Sequence, residues 1–124
     1  AVARVTRSAA GYRVSGLWCA HDCGLVVNPD QVRAQVEGNL VWGIGMALKE
    51  ELVVDDGRIL PGSFFDYPLP VLSDVPDIEI RLVEGAAVPT GAGETAIVCG
   101  AAAVTNAIAA MTGRTVTALP VRVT

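Results

Sequence analysis

The sequence predicts an α+β fold in which two helices pack on a small sheet, in the order β-α-β-β-α-β. Three observations carry this reading. Residues 78–83, IEIRLV, alternate apolar and polar side chains with the period of a half-buried strand. From Asn28-Pro29 onward, Val32, Val36, Leu40, Ile44 and Leu48 recur every fourth residue, as on one helix face. Residues 97–111, IVCGAAAVTNAIAAM, are apolar almost all round and too long for a strand, so a buried helix is expected. Segments of both kinds must bury their apolar faces against one another in layers.

Taken in order, residues 12–20, YRVSGLWCA, are rich in β-formers and alternate imperfectly, which predicts a strand. HDCG turns the chain, and LVV can continue as a short strand or bridge. Asn28 suits an N-cap, Pro29 the first helical position, and Gln31 can reach back as in a capping box. The helix that follows runs roughly 20 residues, long against the usual 11 or 12. Gly38, Gly43 and Gly45 lie in its body, each about 1 kcal/mol worse than Ala. Close approach of another element or of a bound group would account for them, and tight packing is the plainer reason. Asp55-Asp56-Gly57 makes a hairpin turn between LVV and RIL. Pro61-Gly62 and the Pro68/Pro70 pair keep the next region extended. VPTGAGETA is a glycine-rich loop, Gly113 stops the second helix, and TVTALPV is expected to end as a short strand.

The chain has 124 residues, enough for one domain or a piece of a larger one. With 52% hydrophobic and 18% charged residues it is not a disordered segment. A net charge of −4 makes a phosphate backbone a poor partner, so nucleic acid is not expected. No window reaches about 18 consecutive apolar residues, so no membrane span is expected. The start, AVARVTRSAAG, lacks Met and a continuous apolar core; it reads as a processed chain or a fragment, not a signal peptide. Three cysteines are too few for a disulfide scaffold, which favours reducing surroundings and a cytoplasmic location, with the periplasm as the alternative.

Few residues can carry chemistry. His21 stands in Cys19-Ala-His-Asp-Cys23, but a zinc site needs a second, distant pair of ligands, so no metal ligand is assigned on this chain. Ser8, Ser15, Ser63 and Ser73 include no GxSxG elbow, and Cys99 falls in the apolar helix, where a thiol is inert. The loop Thr90-Gly91-Ala92-Gly93-Glu94 is more informative, because backbone N–H groups between a strand and a helix can face a ligand. Glu94 either stabilises the helix end, by about 0.3–1 kcal/mol, or faces a pocket as a general base. Gln35, one turn into the first helix, offers two donors and an acceptor, suited to a heteroaromatic edge or to water.

In order and spacing, CAHDCGLVVNPDQVRAQVEGNLVWGIGMALKEEL, DGRI, FFDYP, DVPDIEI, GAGE and AAAVTNAIAAMTGRTVTALP resemble the C-terminal part of the molybdopterin-binding subunit of the xanthine dehydrogenase family. The resemblance is to the branch with isoquinoline oxidoreductase, nicotinate dehydrogenase and bacterial aldehyde oxidoreductases, and it covers residues 12–120. It implies part of a molybdenum hydroxylase, an oxidoreductase that hydroxylates an aldehyde or N-heteroaromatic substrate with water-derived oxygen. The family's GxGE glutamate, the catalytic base, falls on Glu94. The glutamine of its QxEG helix, a pterin contact, falls on Gln35, and Ala92 and Gly93 become cofactor-binding positions. The implied cofactor is molybdenum-molybdopterin in its cytosine dinucleotide form. Its remaining contacts would come from other segments or chains, and the 2Fe–2S clusters from an iron–sulfur partner subunit. The chain would then be a single domain over residues 1–124, as a split subunit or a fragment. The alternative is a non-catalytic interaction module of the same fold. Thr95 stands where relatives often have Pro, and Trp42 where many have Gln or Phe.

Overall fold

The computed structural model describes residues 1–83 and 85–122. A three-stranded sheet has the order β1-β2-β5, with β1 spanning Val2–Ser8, β2 Gly11–His21 and β5 Asp77–Leu82. β1 and β2 form an antiparallel hairpin, and β5 returns parallel to β2 after a long crossover. The crossover holds helix α1, Pro29–Leu48, and a small hairpin of β3, Val54–Asp55, and β4, Arg58–Ile59. Helix α2, Ile97–Thr112, follows β5. The arrangement is α+β, with both helices on one face of the sheet, α2 against β1 and α1 against β5 and β2.

The imperfect alternation of β2 has a structural cause. Arg4 pairs with Gly16 but Val5 pairs with Val14, so Ser15 is the extra residue of a β-bulge. The bulge resets the period and puts Val14, Leu17, Cys19 and His21 all in the interior. Val14, Leu17 and Cys19 join Val36, Leu40, Ile44 and Ala47 of α1 and Ala103, Val104 and Ile108 of α2 in one core. Arg33 Nη1 donates to Ile80 O at 2.5 Å and fastens α1 to β5.

Helix α1 has the predicted length and start: Asn28 is the N-cap, and its side chain accepts from Gln31 N–H at 3.2 Å. The helix glycines divide. A Cβ at Gly43 would lie 2.9 Å from Ala101 N and 3.1 Å from Gly100 Cα, so this glycine lets the two helix backbones approach. At Gly38 a Cβ would meet no atom of the described residues within 4 Å, and they give it no packing reason. Asp56 and Gly57 take φ of 44° and 75°, as a two-residue hairpin turn requires. Gly113, at φ 70°, ends α2 with its N–H on Ala109 O.

Four expectations are corrected. The element order begins with an additional strand, β1, which residues 12–20 find as their partner, and three strands, not two, lie between the helices. LVV forms no strand; residues 25–27 are irregular. TVTALPV is not a strand either: 115–121 are irregular, tied to α1 where Val121 N–H donates to Ala47 O at 2.8 Å. Helix α2 is buried along one side only, through Gly100, Ala103, Val104 and Ile108, while Val98 is 76% exposed.

Candidate active site

The glycine-rich loop is held against the start of α1 by a run of backbone hydrogen bonds. Val83 N–H donates to His21 O at 2.8 Å, Leu25 N–H to Ala87 O at 2.9 Å, and Thr90 N–H to Cys23 O at 3.0 Å. The segment leaving β2 thus runs alongside the segment leaving β5, and both arrive beside the first turns of α1. Gly24 makes the close approach possible, since a Cβ there would sit 2.6 Å from Val88 O.

Between these segments lies a mostly apolar cavity of about 230 Å³, lined by Cys23, Leu25, Val27, Val32, Gln35, Pro89 and Gly91 to Gly93 among others. Three of the four sequence-predicted residues, Gln35, Ala92 and Gly93, therefore share one wall. Gly91 takes a φ of 89°, and at neither Gly91 nor Gly93 would a Cβ meet any atom of the described residues within 4 Å. The space in front of the loop is open. Among the described residues, the N–H groups of Gly91, Ala92 and Gly93 make no hydrogen bond, so they can receive an acceptor from a ligand.

Glu94 follows directly and is exposed, outside the wall of that cavity. Its carbonyl accepts from Ile97 N–H at 3.2 Å, which places it in the turn that opens α2. Sequence reasoning passed over Asn39, one turn beyond Gln35. This side chain is only 7% exposed. Its Nδ2 donates to Gln35 O at 2.6 Å and to Gly93 O at 2.8 Å, and its Oδ1 accepts from Ile97 N–H at 3.1 Å. Asparagine in the middle of a helix, where its propensity is poor, was the available signal.

The remaining sequence candidates lie deeper. His21 is buried at the end of β2, and its Nε2 has no hydrogen-bond partner among the described residues. Burial pushes the Cys19 thiol up, and neighbouring Cys99 adds to this. Cys99 donates from its Sγ to Ala96 O at 3.1 Å, as a structural thiol does.

Residues 1–76 match the molybdopterin cofactor-binding domain. The chain belongs to that family. It is 40% identical over 116 residues to the isoquinoline 1-oxidoreductase subunit beta of Brevundimonas diminuta, which covers 94% of this chain and 15% of that protein. It is 36% identical over 107 residues to a xanthine dehydrogenase molybdenum-binding subunit of Escherichia coli O157:H7, covering 81% of the chain and 14% of the relative. The crystal structure of quinoline 2-oxidoreductase from Pseudomonas putida 86 superposes with a TM-score of 0.86 at 34% identity, over 95% of this chain and 16% of that one. The chain thus spans only 14–16% of the length of these three proteins.

For a molybdopterin-binding segment the local chemistry is suitable. A pterin presents a flat heteroaromatic body with donors and acceptors along its edge. The cavity offers apolar walls, one amide at Gln35, and a loop with glycines at 91 and 93 and open N–H groups. These residues fit one side of such a group.

Proposed function

We propose that the chain is part of a molybdenum hydroxylase that inserts water-derived oxygen into an aldehyde or N-heteroaromatic substrate, with Glu94 as the catalytic base. The observation that supports this reading is the meeting of Gln35, Ala92 and Gly93 at one apolar cavity, with Glu94 next in the chain. When bound, the molybdenum-pterin cofactor supplies the two-electron redox chemistry. Gln35 orients the pterin edge through its amide, and the N–H groups of Ala92 and Gly93 donate toward cofactor oxygens. Leu25, Val27, Val32 and Pro89 exclude water from that face. The Glu94 carboxylate accepts the proton of the attacking water-derived oxygen, the work of a positioned general base. The cofactor is proposed in its cytosine dinucleotide form.

This chain corresponds in this reading to the C-terminal segment of the molybdenum subunit, residues 1–124 folding as one unit. The remainder of that subunit completes the pocket, and an iron–sulfur subunit carrying 2Fe–2S clusters removes the electrons. The exposed apolar side chains of Leu60, Phe64, Phe65 and Leu72 support a large covering partner surface. In the assembled enzyme, Glu94→Gln lowers turnover by about a hundredfold to ten-thousandfold and leaves molybdenum content unchanged. Normal turnover would remove the base assignment and favour the non-catalytic module.

A further inference from the structure

We propose that Asn39 is the positioning residue for Glu94, an inference that rests on the reading of Glu94 as the base. Its three hydrogen bonds form a bracket. Gly93 O lies before Glu94 in the chain and Ile97 N–H lies after it, and one buried amide holds both. The same Nδ2 reaches Gln35 O, so the turn that presents the pterin contact and the loop that presents the base share one fixed point.

The amide orientation follows from its partners. Ile97 N–H can only donate and must face Oδ1, whereas Gly93 O and Gln35 O can only accept and must face Nδ2. The bracket also answers a deficiency at the start of α2. The N-cap there is Ala96, whose side chain offers no acceptor. Asn39 provides that acceptor from the neighbouring helix, at the first residue of α2. The amide gives α2 a cap and donates to two carbonyls at once: Asp keeps the acceptor and loses the donors, and Ala loses all three. Asn39 itself is nearly enclosed, and without its amide Ile97 N–H keeps only Glu94 O while Gly93 O loses its tie to α1. The Glu94 loop is then free to shift, and a displacement of about 1 Å at a catalytic group costs about a hundredfold in rate.

The test uses the assembled holoenzyme with Asn39→Asp and Asn39→Ala, each alone and combined with Glu94→Gln. Turnover, KM, molybdenum content and hydrogen exchange of the 93–98 backbone are read together. Asn39→Asp is expected to lower kcat by about tenfold to a hundredfold, with KM and molybdenum content near the parent values. Asn39→Ala is expected to accelerate exchange at Ile97 as well. Added to Glu94→Gln, Asn39→Asp should slow the enzyme no further, because the two residues act as one unit. Parent kcat in Asn39→Asp, a kcat loss matched by loss of molybdenum, or a full further loss in the double variant would each overturn the proposal. If Asn39→Ala does not assemble, Asn39→Asp decides alone. Normal turnover in Glu94→Gln would sink the base reading itself, whereas unchanged exchange at 93–98 in Asn39→Ala would sink the bracket.

Discussion

Alanine at Gly43 and alanine at Gly38 are the same substitution in the same helix, yet the structure separates their effects. Each gains about 1 kcal/mol of helix propensity. At Gly38 nothing among the described residues opposes that gain, because a new Cβ would have no neighbour there within 4 Å. At Gly43 the Cβ would lie 2.9 Å from Ala101 N and 3.1 Å from both Gly100 Cα and Ile97 O. These are backbone atoms of α2 and cannot rotate aside, so α2 must retreat as a body. Overpacking of this kind costs about 1–3 kcal/mol. Propensity cancels between the two variants, so their difference isolates the packing penalty: Gly38→Ala is stabilised by about 1 kcal/mol and Gly43→Ala lies about 1–3 kcal/mol below it. Hydrogen-exchange protection across α1 and α2, measured in the protein carrying this chain, reads that difference. Gly43→Ala as well protected as Gly38→Ala would refute the argument that α1 keeps this glycine for the helix crossing.

Gln35→Ala should weaken cofactor retention, seen as lower molybdenum content after extensive dialysis; unchanged occupancy would return Gln35 to the role of a solvated surface amide. Partial burial would raise the Asp74 carboxyl, but a hydrogen bond from Lys49 at 2.5 Å, the Val71 N–H, and the charges of Lys49 and Arg13 outweigh it and lower its pKa. A carboxylate held low in the folded state stabilises it above the ordinary value of about 3.9, and this contribution is lost as pH falls through the lower, folded value. Asp74→Asn should therefore be less stable than the parent at neutral pH and converge with it in acid, by unfolding curves recorded down the pH scale. Curves that remain equally separated in acid would contradict this linkage.

Much of the fold was legible because its signals are local. Asn28-Pro29 is a cap wherever it stands, Gly113 a stop, Asp56-Gly57 a hairpin turn, and IEIRLV carries its period without help from neighbours. What escaped depends on pairing at a distance. VARVTRS has two arginines and few large apolar side chains, and it becomes a strand because β2 offers a partner. TVTALPV has strand composition, yet Pro120 lacks an N–H for a ladder, and the segment instead anchors to Ala47 O. The apolar surface of α2 was read as complete burial, whereas the small residues that permit its close crossing with α1 serve one side. At the candidate site, Gln35 and the glycine loop were singled out through their residue types and a family resemblance. Asn39 was missed because its partners, Gly93 and Ile97, lie 54 and 58 residues away. No local pattern encodes them.

The central claim is that this chain serves a molybdenum centre, and metal content tests it most directly. The assembly should be isolated from its source through this chain and its molybdenum content and native mass determined together. The account predicts close to one molybdenum per copy, in a particle far heavier than the 12.8 kDa of these residues. An intact assembly free of molybdenum would contradict it.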